Sequence, residues 1–334
     1  MTDADNADSA DIVRAADLLR AGELVAFPTE TVYGLGADAR NPTAVGNIFR
    51  AKGRPADHPL IVHLADIASL PHWAIDIPAS AYALAAAFWP GPLTLILQRH
   101  PSVIDAISGG QDTIGLRIPN HPLALQLLRE FNRHLPGGGL AAPSANRFGR
   151  ISPTTAAHVR EELGESVAAI LDGGPCAVGI ESTILDLSGT MPRILRPGRI
   201  GVDEIRRVLG ASPAEKSPQT APRVSGSLDA HYAPRTPLRL VAAADLHAEV
   251  DRALQSGVRL AVLSTHADPQ RARLVWQRVG TDSREFARQL YAELRRLDAC
   301  ACDLILVEIP AADAIGHAVM DRLRRAATGS GAGE

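Results

Sequence analysis

Residues 23–36 read ELVAFPTETVYGLG. The apolar run ELVAF stops at Pro28, and Thr29, Glu30 and Thr31 then lead to Tyr33, Gly34 and Gly36. A strand that ends in a polar turn of this kind forms the lip of a binding site. The stretch looks like a phosphate loop, yet it lacks the Gly-Lys-Ser/Thr that would make it one. Gly34 and Gly36 are read as residues that turn the chain tightly, because glycine adopts the backbone angles other residues avoid.

Outward from this strand, helix-periodic and strand-like segments alternate. DIVRAADLLRAG (11–22) has helical spacing and ends on Gly22, and PTAVGNIFRAKG (42–53) follows as a helix with Pro42 in its first turn. LIVHL (60–64), TLILQ (94–98), TIGLRIP (113–119), AAILDGG (168–174), STILDLS (182–188) and PRILRPG (192–198) are short β-rich runs bounded by Gly or Pro. ASAYALAAAFW, HPLALQLLREF and TAAHVREELG carry the helical period between them. The fold class is α/β, and the irregular strand spacing implies a mixed, twisted sheet rather than a clean βαβ repeat. Residues 211–237, rich in Pro, Ser and Ala without an apolar period, read as a linker. Beyond it, 238–264 and DLILVEIP (303–310) read as strand–helix–strand units of a parallel sheet, and AIGHAVMDRLRRAA closes the chain as an amphipathic helix. The expected domains are therefore 1–210, the linker 211–237, and 238–334.

The composition sets limits. At 334 residues, 46% hydrophobic and 21% charged, the chain has ample material for a full core. A formal net charge of -3 without a Lys/Arg run disfavours a grip on a long nucleic-acid backbone. Cys176, Cys300 and Cys302 fit neither a disulfide framework nor a zinc pattern and read as small buried apolar residues. The acidic N-terminus, MTDADNADSAD, is no signal peptide, and no apolar stretch approaches a membrane span, so a cytoplasmic location is expected.

Four stretches look chemical. The first is the opening loop, where Glu30 reads equally as a general base or as a turn cap. In the second, AKGRPADHPLIVHL, Lys52 and Arg54 stand two apart, a spacing that in an extended segment aims both cations at one spot. The third, AAPSANRFGR, repeats that spacing with Ser144 and Asn146 among small alanines. The fourth, LDGGPCAVGIESTILDLS, has glycines ahead of Ser182 and Thr183. His58 and His63 fit no common zinc spacing, and no nucleophile elbow is present.

In order, PTETVYGLG, KGRPADHPLIVHL, FWPGPLTLIL, TIGLRIPNHP, AAPSAN, DGGPCAVGIESTILDL and ILRPG resemble the YrdC-like family. SGSLDAHYAP and the final AIGHAVMDRLRRAA resemble the linker and C-terminal domain of its long, two-domain form, the threonylcarbamoyladenylate synthases. The resemblance runs from about Asp11 to Ala327 and implies a YrdC-like twisted mixed-sheet domain followed by a smaller Rossmann-like parallel α/β domain. It implies a nucleotidyltransferase that joins ATP, L-threonine and bicarbonate into threonylcarbamoyl-AMP and pyrophosphate. The product would go to a tRNA threonylcarbamoyl transferase system that modifies the adenosine beside the anticodon.

By position in the matched motifs, Lys52, Arg54, Ser144 and Asn146 are the implied catalytic tetrad, with Lys52 and Arg54 facing carbamate and phosphates. Thr31, His63, Arg117, Ala142 and Ser182 fall at L-threonine positions, Arg117 being the partner for the carboxylate. Arg54, His58, Thr113, Ser144, Ser152, Arg196, His231 and Tyr232 fall at ATP positions, with HYAP lying as a lid over the site. Mg²⁺ is expected with the triphosphate, without assigned protein ligands. The chemistry agrees with the residues independently: an anionic carbamate needs no strong base, only positioning and offset of charge. A hydrogenase-maturation carbamoyltransferase is the nearest enzyme rival, but its Cys-x-x-Cys pairs are missing. An RNA-binding module is the rival of another class, against which the net charge and 4% aromatic content count.

Overall fold

The computed structural model describes residues 9–214 and 221–331. Most of the acidic N-terminal stretch (1–8), the centre of the 211–237 linker (215–220) and residues 332–334 lie outside the described residues. The chain forms two compact units. The first takes 9–148, 153–177 and 181–227 apart from the undescribed linker centre, and the second takes 149–152, 178–180 and 228–331.

In chain order the first unit contains α1 (Ser9–Arg20), β1 (Val25–Phe27), β2 (Gly34–Asp38), α2 (Pro42–Lys52), β3 (Ile61–His63), β4 (Ala74–Ile75), α3 (Ala79–Phe88) and β5 (Leu93–Arg99). It continues with α4 (Asp105–Ser108), β6 (Thr113–Arg117), α5 (Pro122–Asn132), β7 (Leu140–Ala141), α6 (Ala156–Leu163), β8 (Ala169–Ile170), β9 (Thr183–Asp186), β10 (Arg193–Arg196) and α7 (Val202–Leu209). The strands join in the order β10-β9-β5-β6-β3-β7-β2-β1-β8, with β4 on β5. β3/β6, β5/β9 and β1/β8 pair in parallel and the rest are antiparallel, so the sheet is mixed.

Local chemistry sets the element ends. Asn41 caps α2 by accepting from the amides of Thr43 and Ala44, and Pro42 occupies the first turn where its missing N–H costs nothing. Gly53, at φ 62°, ends the helix in the left-handed conformation. On α1, Ile12, Ala15, Ala16 and Leu19 form one buried face that packs on α5 beneath the sheet.

Two expectations need correction. Gly34 and Gly36 do not turn the chain: they lie in β2, paired with Phe27 and Val25 of β1. A Cβ on Gly36 would stand 2.8 Å from the Phe27 ring and 3.0 Å from the Val25 carbonyl oxygen, so glycine serves close strand-to-ring packing. Lys52 and Arg54 are not in an extended segment either, because Lys52 is the last residue of α2 and Gly53 bends the chain between them. Of the cysteines, Cys176 is buried in the core, but Cys300 is exposed and Cys302 half-buried.

The second unit contains β11 (Leu238–Val241), α8 (Leu246–Gln255), β12 (Leu260–Ser264), β13 (Leu274–Arg278), α9 (Ser283–Asp298), β14 (Leu304–Glu308) and α10 (Ala314–Gly329). Its sheet, ordered β11-β14-β12-β13, is parallel throughout. β13 escaped the sequence reading because it is a half-exposed edge strand, LVWQR, without a clean apolar run. The central strands β12 and β14 are buried along nearly their whole length, as parallel strands covered on both faces are.

Candidate active site

The register of the first sheet brings residues far apart in sequence into one row. Arg196 of β10 stands opposite Ile184 of β9, which stands opposite Thr94 of β5. Since Leu95 pairs with Leu116, Thr94 meets Arg117 at the end of β6, and Arg117 pairs with His63 at the end of β3. Arg196, Ser182, Thr94, Arg117 and His63 therefore cross one end of the sheet, and all are buried. The loop after β1 reaches the same end through Arg117, whose Nη1 donates to Thr31 Oγ1 at 3.0 Å.

Arg117 is held on several sides. Its Nε donates to the Gly91 carbonyl at 3.2 Å, and its Nη2 lies 2.7 Å from Glu30 Oε1 in an ion pair whose side chains are 5% and 7% exposed. His63 stays neutral: burial, followed by the Arg117 charge, pushes its pKa down to about 3. A neutral imidazole beside a guanidinium leaves Arg117 the cation of this pocket and gives the ring a nitrogen able to accept. His63 Nδ1 is buried and makes no hydrogen bond among the described residues.

Ser182 links this pocket to a second group of cations. Its Oγ lies 2.7 Å from Thr94 Oγ1, and Arg196 donates to both its carbonyl and its Oγ. Arg196 Nη1 also donates to the Ser225 carbonyl at 2.9 Å, and Arg54 Nη2 donates to Ser225 Oγ at 3.2 Å. Arg54 further donates to the Pro59 carbonyl. Two guanidinium groups thus converge on oxygens of one linker residue. Val224, next to it, packs on Ile96 and Ile184, and Arg223 donates to the Gly109 carbonyl and pairs with Asp57. Thr113 and Gln111 line the crevice beneath Arg223, Val224 and Ser225.

Lys52, expected beside Ser144 and Asn146, reaches the backbone of that loop. It is 3% exposed, and its Nζ donates to the carbonyls of Ser144 and Asn146 at 2.5 and 2.6 Å. Burial, reinforced by the nearby Arg54 charge, holds its pKa well below the usual lysine range. The amine ties the Ser144–Asn146 loop to the end of α2. That loop runs beside β2 through the Gly34–Ser144 bridge and the Ala145 amide on the Tyr33 carbonyl. Ala142, just before it, gives its amide to the Ile61 carbonyl. Asn146 is buried and donates to the Arg147 carbonyl. His58 packs edge-on against Phe148, with its pKa lowered by burial and then by Arg54.

Ser152, His231 and Tyr232 belong to the second unit. Tyr232 is buried, its ring stacked on Tyr291 at 5.7 Å and facing the Arg322 guanidinium, and His231 packs edge-on against it. Thr94 and Ser225 are site residues that sequence reasoning missed. A lone Thr in an apolar strand and a Ser in a linker carry no local signal, and only register and packing reveal them.

The arrangement offers a buried guanidinium with adjacent hydroxyls, suited to a small carboxylate, next to a pair of arginines suited to oxyanions. Arg196 of that pair reaches the first pocket through Ser182. Among the described residues no group of three or more His, Cys, Asp or Glu side chains could hold a metal ion.

Comparison with known proteins gives this geometry a context. The family model described as "Telomere recombination" matches residues 17–198, and that described as "Threonylcarbamoyl-AMP synthase, C-terminal domain" matches residues 200–328. A threonylcarbamoyl-AMP synthase of Bacillus subtilis is 39% identical, covering 98% of this chain and 96% of the relative. Another, from Pyrococcus abyssi, is 41% identical over 93% of this chain and 92% of the relative. The crystal structure of P. abyssi Sua5 complexed with L-threonine superposes with a TM-score of 0.89 at 39% identity, covering 97% of this chain and 96% of that one. With both family models matched in order and relatives of this similarity along nearly its whole length, the chain belongs to the threonylcarbamoyl-AMP synthase family.

Proposed function

We propose that this protein joins ATP, L-threonine and bicarbonate into threonylcarbamoyl-AMP and pyrophosphate. The observation that carries the proposal is the shared wall between the two cationic pockets: Ser182 touches Thr94 on one side and Arg196 on the other. An amino-acid carboxylate on Arg117 would leave its amino end close to a phosphate site built on Arg196 and Arg54. That is the geometry needed when one end of an amino acid becomes a carbamate and a carbamate oxygen then attacks the α-phosphorus. Neutral His63 and Thr31 would read the hydroxyl and carboxylate of threonine. Ser144, Asn146 and Thr113 would contact the nucleotide, with Lys52 fixing the loop that presents the first two.

Arg54 and Arg196 would spread the charge of the transferring phosphoryl group and of the departing pyrophosphate. Their partners here, the hydroxyl and carbonyl of Ser225, are the neutral counterparts of phosphate oxygens. Residues 223–225 form a strap over the phosphate region that shields the mixed anhydride from water once it has formed. Mg²⁺ would come with the triphosphate, held by its oxygens. The product would pass to a transferase system acting on tRNA, and a cytoplasmic location suits that task. No described helix is long and apolar enough to cross a membrane.

The test is pyrophosphate release from ATP with threonine and bicarbonate omitted in turn. Release should depend on both; release with neither present, or no release at all, defeats the proposal.

A further inference from the structure

Glu30 has no task in the synthase reaction proposed for this site. Its carboxylate is buried at the mouth of the loop after β1, 2.7 Å from Arg117 Nη2. The charges compensate but the hydrogen bonding does not: neither Glu30 oxygen nor Arg117 Nη2 has a partner of acceptable geometry among the described residues. A carboxylate has lone pairs for about four donors, and leaving them unmet in a buried site is unfavourable. Holding Arg117 in place does not account for Glu30, because Nε on the Gly91 carbonyl and Nη1 on Thr31 already fix the guanidinium plane.

The pocket therefore presents a cation and an anion side by side, both buried, the anion short of donors. An α-amino acid is the complementary object: a carboxylate for Arg117 and an ammonium group with three N–H donors. Without Glu30 the ammonium would face a guanidinium and an imidazole that is neutral, and the Cys176 thiol, pushed up to about 12 by burial and then by the Glu30 charge, supplies no anion at neutral pH.

We propose that Glu30 receives the ammonium group of the amino-acid substrate and takes its proton as the carbamate forms. This rests on the proposed synthase reaction. The balance is R–NH₃⁺ + HCO₃⁻ + Glu30–COO⁻ → R–NH–COO⁻ + H₂O + Glu30–COOH. The N–C bond forms, bicarbonate loses one oxygen as water, and the net proton ends on Glu30. The substrate nitrogen end swings from positive to negative in this step. A carboxylate that stayed ionised would then repel the carbamate, whereas a protonated one donates a hydrogen bond to it.

Calorimetric titration with L-threonine and with 2,3-dihydroxybutanoate, which keeps the carboxylate and β-hydroxyl but replaces the ammonium by a hydroxyl, tests the proposal. The unaltered protein should prefer L-threonine by about tenfold or more. Glu30→Gln should lose that preference with little change in affinity for the hydroxy acid. At saturating threonine its kcat should fall by about 100-fold or more, with KM for ATP little changed. Glu30→Asp, which keeps the charge, should retain the preference. If Glu30 only braces Arg117, both ligands weaken together in Glu30→Gln and the preference survives, which overturns the proposal. Equal affinities in the unaltered protein overturn it without recourse to any variant. Binding of neither ligand by the unaltered protein defeats the pocket assignment itself, and this inference with it.

Discussion

Replacing Lys52 by Met separates two roles for this lysine. Met fills nearly the same volume, so no cavity opens, but the Ser144 and Asn146 carbonyls lose their shared donor. A buried acceptor left unmet costs about 1–3 kcal/mol, so the pair costs about 2–6 kcal/mol. Removing an amine that burial already disfavours offsets part of this, leaving a net loss of about 3 kcal/mol. For a unit of roughly 150–250 residues, each kcal/mol lowers Tm by about 2–4 °C, so a drop of about 6–12 °C is expected by calorimetry. Turnover should fall as well, because the Ser144–Asn146 loop is no longer pinned. A lysine that reached instead for phosphate would leave Tm unchanged in Lys52→Met and raise only KM for ATP. That outcome would refute the pinning role of the buried amine.

His63 should make the protein acid-sensitive. Its folded pKa of about 3 lies below the ordinary 6.5, so the unfolded chain binds the extra proton between these values. Stability is therefore complete above pH 6.5 and is lost as pH falls toward 3; at about pH 4.5 the loss is about 3 kcal/mol. Denaturant melts of His63→Gln should show a correspondingly smaller difference between pH 7 and 4.5. Gly36→Ala should destabilise by about 1–3 kcal/mol in the same assay, since the new methyl meets a backbone oxygen that cannot swing away. Val224→Asp should lift the strap off Ile96 and Ile184 and shorten the lifetime of the adenylate product severalfold. An unchanged lifetime would remove the shielding role of residues 223–225.

The sequence alone carried much of the element order, because strand runs and helix periods are local properties, but it missed the edge strand β13 and read the start of β2 as a turn. Asn41-Pro42 and Gly53 announce where α2 starts and stops, and DIVRAADLLRAG shows its buried face without any partner. Motif order carried the family as well. What stayed hidden was direction and pairing. Lys-x-Arg looked like two cations aimed at one spot, but one residue ends a helix and the other follows a left-handed glycine, so the two side chains take different partners. Two glycines looked like a turn because what demands glycine at position 36, the Phe27 ring on β1, lies nine residues away on the neighbouring strand. The row from Arg196 to His63 exists only through strand register, and Thr94 and Ser225 join the site only through packing. Chain-local chemistry is written in the sequence, whereas a site built across five strands depends on long-range pairing that only the folded sheet decides. The opening stretch shows both: PTET was legible as a lip, but that Glu30 faces Arg117 there was settled by the fold.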